Sequence, residues 1–167
     1  MCVDEMGTLG TRTYPTTRLM PSGVRPHIAP DWGGRGCWWV FGAFEPDSGL
    51  AFTFCAKRRR RAEFVAFLDA LIAGWADEAM ILIMDNLAVH KTLDVRLWAL
   101  VHPQVRFLFQ PTYSPWLNLI EPWWKTLRTL ALKGRRFNDA AEIPTAIHAA
   151  TDFWNQQRHP YRWRKTA

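Results

Sequence analysis

Three acidic residues stand where this chain can do chemistry. Asp85 follows the apolar run at residues 80–84 and opens Asp85-Asn86-Leu87-Ala88-Val89-His90-Lys91, which sets an amide and an imidazole beside its carboxylate. Asp4 follows Met1-Cys2-Val3, and Glu121 follows a loop at residues 111–118. Brought together, three carboxylates repel one another, and the arrangement is costly unless a cation occupies it. Oxygen-only ligands select Mg²⁺ or Mn²⁺ over zinc. Two such ions about 4 Å apart activate an attacking oxygen and stabilise the leaving oxygen of a phosphodiester in an in-line displacement. Asp4, Asp85 and Glu121 are therefore the candidate metal ligands and catalytic residues, and nucleic-acid strand cleavage is the candidate reaction.

An α/β sheet must position them. Residues 38–44 and 50–55 read as a hairpin, rich in aromatic residues and joined by Glu45-Pro46-Asp47-Ser48-Gly49. Phe64, Phe67, Leu68, Leu71, Ile72 and Trp75 repeat at helical spacing. Residues 80–84 form a short apolar strand, Leu93, Leu97, Leu100 and Val101 mark a second helix, and residues 105–109 a further strand. Strand, helix, strand calls for a parallel pair with a crossover. Trp123, Leu127, Leu130 and Ala131 share one face of a third helix that Gly134 ends, and Ile143, Ile147, Ala150 and Trp154 outline a fourth. Only Met1-Cys2-Val3 precede Asp4, so the first strand is expected to be truncated, with Asp4 at its end. The Pro-rich stretch at residues 11–31 is expected to hold a short extended piece at residues 24–29. The order predicts an α/β, ribonuclease-H-like domain: a mixed five-stranded sheet flanked by helices. Functional groups gather beyond the carboxyl ends of parallel strands in such sheets; if the first strand lies beside the strand at residues 80–84 and parallel to it, Asp4 and Asp85 come side by side and Glu121 can complete the cluster.

Composition agrees with one domain over residues 1–167. A chain of this length with 49% hydrophobic residues and ten Trp can fill a core. No apolar run reaches the roughly 20 residues of a membrane span, and the N-terminus lacks a signal pattern. A soluble, cytoplasmic, nucleoid-associated protein without a membrane partner is the expectation. Cys2, Cys37 and Cys55 lack metal-ligand spacing and read as reduced thiols. The net charge of +6 is unevenly placed: residues 1–121 balance twelve Lys and Arg against twelve Asp and Glu, whereas residues 122–167 hold nine against three. That asymmetry favours a polyanionic partner.

Val3-Asp4-Glu5, the Asp85-to-Lys91 segment, and Gln110-Pro111-Thr112-Tyr113-Ser114-Pro115-Trp116-Leu117-Asn118-Leu119-Ile120-Glu121-Pro122-Trp123-Trp124-Lys125 together resemble the DDE catalytic domain of IS630-type transposases, in the IS630/Tc1/mariner superfamily. Thirty-five residues lie between Asp85 and Glu121, similar to the spacing this group uses. The resemblance implies a metal-dependent DNA transposase with two Mg²⁺ (or Mn²⁺) ions per site. It would cleave transposon ends at their inverted repeats, then join the freed 3′-hydroxyl to target DNA as a homodimer or larger assembly. Asp4, Asp85 and Glu121 would be its metal ligands. The family's N-terminal helix-turn-helix region has no counterpart here, which leaves open a ribonuclease-H-like nuclease without strand transfer, or an inactive DNA-binding remnant.

Individual residues carry competing readings. Asn86, His90 and Lys91 stand beside the scissile phosphate if Asp85 is a ligand, while His90 equally suits packing at a helix start. Asn118 is either a contact or a helix cap for Glu121; Pro122 argues against a regular capping box and places the helix start nearer Glu121. Lys125 and Arg128 share a helix face with Glu121 and read as DNA contacts. Arg58, Arg59 and Arg60 precede a helix whose dipole they oppose, so backbone contact to DNA is their functional reading. Glu5 points away from Asp4 on a strand and reads as structural or solvent-facing. The basic tail at residues 156–167 mixes cations with aromatic rings and either tracks DNA or packs down.

Overall fold

The computed structural model describes residues 1–16, 36–75, 79–112 and 114–161. The extended piece expected at residues 24–29 and the last part of the basic tail lie outside them. The elements are β1 (Cys2–Gly10), β2 (Cys37–Phe44), β3 (Ala51–Ala56), α1 (Arg61–Ala73), β4 (Met80–Met84), α2 (Leu93–Val101), β5 (Val105–Phe109), α3 (Ile120–Ala131) and α4 (Glu142–Gln156). The sheet runs β3-β2-β1-β4-β5. β1, β2 and β3 pair antiparallel, and β4 pairs parallel with both β1 and β5. This is the expected mixed five-stranded sheet.

Strand alternation divides the core between two faces of the sheet. Cys2, Met6, Val40 and Phe44 pack with Ile120, Trp123, Trp124 and Leu127 of α3 and with α4. Val3, Phe41, Ala43, Leu82 and Met84 pack on the other face with Phe64, Phe67, Leu68 and Leu71 of α1 and with Trp98 of α2. The result is a three-layer arrangement, helices on both faces of one sheet.

Two expectations change. The first strand is not short: β1 has nine residues, and Asp4 is its third rather than its last. Pairing with β2 slips between Met6 and Leu9, which breaks the simple alternation beyond Asp4. The second helix forms where expected but buries the opposite side. Val95 and Trp98 face the core, while Leu93, Leu97, Leu100 and Val101 are exposed.

α4 caps the first rung of the β3 edge. Asn155 Oδ1 accepts from the Ala51 N–H at 2.9 Å and its Nδ2 donates to the Ala51 carbonyl at 2.8 Å. Beyond α4 the chain returns over the β2–β3 turn, where the Tyr161 N–H donates to the Pro46 carbonyl. Gly49 has φ +76°, and a Cβ there would stand 2.2 Å from the His159 carbonyl oxygen, so the close approach requires glycine. Among the described residues no helix is long and apolar enough to cross a membrane.

Candidate active site

The sheet register sets Asp4 and Asp85. Cys2 pairs with Ile83, so two residues further on Asp4 is level with Asp85, where β4 has ended. Cys2 and Ile83 both pack on the α3 side, and Asp4 shares that face with Cys2. Asn118 ties the loop before α3 to the same place, because its Nδ2 donates to the Val3 carbonyl at 3.0 Å. α3 then begins at Ile120 with Glu121 in its first turn, where the helix dipole favours a carboxylate.

Glu121 is exposed, and its charge is felt at Asp4. Burial is the main reason the Asp4 carboxyl is pushed up to about 7, with the charges of Glu5 and Glu121 adding to it. The Glu5 backbone N–H and the Trp124 indole oppose the rise, the indole Nε1 donating to Asp4 Oδ2 at 3.1 Å. Gly42 stands opposite Asp4 on β2, and a Cβ there would lie 2.4 Å from the Trp124 ring. Trp124 can therefore reach Asp4 only over a glycine.

On the other sheet face lies a chain of contacts that sequence reading missed. His90, in a short 3₁₀ turn (Ala88–Lys91), is sealed from solvent against Phe64, with ring centroids 4.6 Å apart. Its Nε2 is 2.8 Å from Glu5 Oε1, and its Nδ1 is 3.1 Å from Asp85 Oδ1. Burial works to lower the His90 pKa, but the hydrogen bond and charge of Glu5, with Asp85, outweigh it and raise the pKa. Asp85 Oδ1 also accepts from the Leu87 N–H. Glu5 was readable only as the strand neighbour of Asp4; no sequence signal pairs it with a histidine 85 residues away.

The contact residues read from sequence separate into two groups. His90 and Asn118 are buried, 1% and 4% exposed, and their polar atoms are engaged inside the protein. Neither offers a surface to DNA, which corrects that reading of both. Asn86 is half-buried and bridges the two strand ends, donating to the Gln110 carbonyl and accepting from Lys91 Nζ. Lys91, Lys125, Arg128, Arg58, Arg59 and Arg60 are exposed. The three arginines lie on the loop after β3, with Arg59 4.6 Å over the Trp39 ring. A cleft of about 360 Å³ opens beside Asp85, between Asn86, Leu87, Gln110, Thr112 and Ser114.

Among the described residues no three acidic, histidine or cysteine side chains stand close enough to grip one ion. The donor set nonetheless suits a hard divalent cation. It is all oxygen and partly buried, and Asp4, pushed up to about 7 mainly by its burial, has no cation beside it among the described residues to hold its charge.

A family model described as DDE superfamily endonuclease matches residues 1–144. The 39 kDa protein of insertion element IS630 from Shigella sonnei is 29% identical over 117 residues, covering 62% of this chain and 34% of that protein. The Mos1 transposase paired-end complex with left transposon end superposes with a TM-score of 0.60 at 14% identity, over 96% of this chain and 56% of that one. The HTLV-2 integrase catalytic core domain in complex with magnesium gives 0.55 at 13%, over 90% of each chain. At such identity these two structures share the fold, a ribonuclease-H-like core. The chain spans about a third of the curated relative. With the family model covering most of its length, the chain belongs to the DDE superfamily endonuclease family.

Proposed function

We propose that this chain is the catalytic domain of an IS630-type DNA transposase, cutting phosphodiesters at transposon ends and joining the 3′-hydroxyl to target DNA. The observation that carries the reading is the level placement of Asp4 and Asp85 at the end of β4, with Glu121 charged nearby on α3. Asp4, Asp85 and Glu121 would hold Mg²⁺ or Mn²⁺, two ions per site. Bound there, the metal supplies positive charge to the attacking and leaving oxygens of the scissile phosphate. Everything else falls to the protein. Asn118 and Trp124 hold Asp4 against α3, and the Glu5–His90 pair fixes the Asp85 carboxylate from beneath. Lys91, Lys125 and the arginines at 58–60 neutralise DNA phosphates as the strand enters. Two copies, one per transposon end, fit the two cleavages required.

The test is cleavage of a labelled duplex carrying the element's inverted repeats, with Mg²⁺ or Mn²⁺, beside Asp85→Ala and Glu121→Ala. Metal-dependent nicking followed by joined products, absent in both variants, supports transposition. Nicking without joining reassigns the chain to a simple nuclease. A folded protein that does neither is not an active catalytic domain by itself.

A further inference from the structure

Two of the nine Lys and Arg in residues 122–167, Arg128 and Lys133, line a groove together with Arg12. Past Asp4, β1 continues through Gly7, Thr8 and Leu9 along α3, and a groove of about 430 Å³ runs between them. Arg12 and Tyr14 form one wall, Arg128 and Lys133 the other. The walls are tied together. The Tyr14 N–H donates to the Arg135 carbonyl, the Gly134 N–H donates to the Tyr14 carbonyl, both at 2.8 Å, and Thr13 bridges to Arg136.

Within the groove the charges are positioned without anionic partners. The Arg12 guanidinium lies 5.0 Å over the Tyr14 ring, and Arg128 Nε donates to Met6 Sδ at 3.1 Å. Among the described residues none of Arg12, Arg128 and Lys133 makes an ion pair. Three like charges facing one groove repel unless an anion joins them. Arg128 also shares a helix face with Glu121, the two joined by Lys125 at i, i+4 and i+7. Seven residues of helix span about 10 Å. Duplex DNA carries one phosphate per roughly 3.4 Å of axis on each strand, so a duplex whose axis runs along α3 advances about three nucleotides over that distance.

We propose that this groove is a second DNA-backbone site, in which Arg12, Arg128 and Lys133 hold phosphates about three nucleotides from the one at the carboxylates. The proposal rests on the DNA reading above and adds a site that the catalytic carboxylates do not require. Its role is to set the register of the strand, because phosphate contacts position a duplex without reading its sequence.

The experiment measures binding of a fluorescent inverted-repeat duplex without divalent metal, over about 50 to 200 mM salt. Arg12→Gln with Lys133→Gln is compared with Arg96→Gln and Arg106→Gln, an equal charge loss at exposed positions outside the groove. The groove pair should flatten the slope of log K against log salt by about 1.8, at roughly 0.9 per phosphate contact, and the control pair should leave it intact. A neutral methylphosphonate about three nucleotides from the cleavage point should weaken wild-type binding but not that of the groove pair. Equal slopes for the two pairs, with wild-type protein binding well, overturn the groove and leave the DNA reading standing. A wild-type protein that binds no duplex overturns both.

Discussion

The Glu5 carboxylate and the His90 imidazole meet at 2.8 Å with both side chains sealed from solvent, directly beneath the Asp85 carboxylate. A buried pair of this kind is costly to break from one side. Glu5→Ala leaves an imidazole without its anion and should destabilise the fold by about 3–5 kcal/mol, read by urea unfolding. Glu5→Gln keeps the packing and isolates the effect on Asp85. Outer-shell partners of metal ligands typically change metal affinity by about 10–100-fold, so Mn²⁺ binding by calorimetry should weaken by that order. Unchanged affinity would show the pair to be structural alone.

Asp4 makes the metal-free protein sensitive to base. Its folded pKa of about 7 lies above the ordinary 3.8, so the folded state holds a proton that the unfolded chain releases. The associated stability is complete below about 3.8 and is lost as the pH rises through about 7. Raised His90 acts in the same direction, its contribution fading as the imidazolium loses its proton. Asp4→Asn should therefore melt higher than wild type in alkaline, metal-free buffer, with the difference shrinking as the pH falls. Saturating Mg²⁺ should narrow the difference by stabilising the wild type. A melting difference that ignores pH would contradict this account.

Gly42 is predicted to be intolerant of even one methyl group. Gly42→Ala would drive a Cβ into the Trp124 ring, with overpacking costing about 1–3 kcal/mol. The displaced indole would no longer donate to Asp4. Trp124→Phe removes the same donor without the clash, so both variants should move the pH dependence of cleavage upward, whereas only Gly42→Ala should be strongly destabilised.

Asp85→Asn and Glu121→Gln should abolish cleavage with little structural cost. Glu121 is exposed, where substitutions usually stay within about 0.5 kcal/mol, and the Asp85 side chain is 44% exposed, with an amide keeping the oxygen that accepts from the Leu87 N–H. Thermal melts that match wild type, alongside lost nicking, would separate chemistry from folding.

Most of the architecture was legible because hydrophobic periodicity reports burial. Phe64, Phe67, Leu68 and Leu71 do line α1 against the sheet. The same signal failed at α2, where a leucine stripe faces outward and Trp98 takes the core side, its indole N–H bonding to Asp69. β1 was read too short because only three residues precede Asp4, placed at its end, whereas the strand runs on through Gly7 to Gly10. Gly7 fits there because the Trp39 ring lies 2.6 Å from where a Cβ would be. The carboxylates could be found from where strands stop. Their supports could not, since Glu5 with His90 and Asn118 with Val3 are long-range pairs that only tertiary packing creates.

Asn155 has a consequence for how this protein fails as well as how it folds. An edge strand exposes unpaired amides that can recruit another chain and seed cross-β growth. By answering both the N–H and the carbonyl of Ala51, the Asn155 amide occupies the rung where a foreign strand would begin on β3. The far edge, β5, carries the exposed charge of Arg106, which opposes strand addition there.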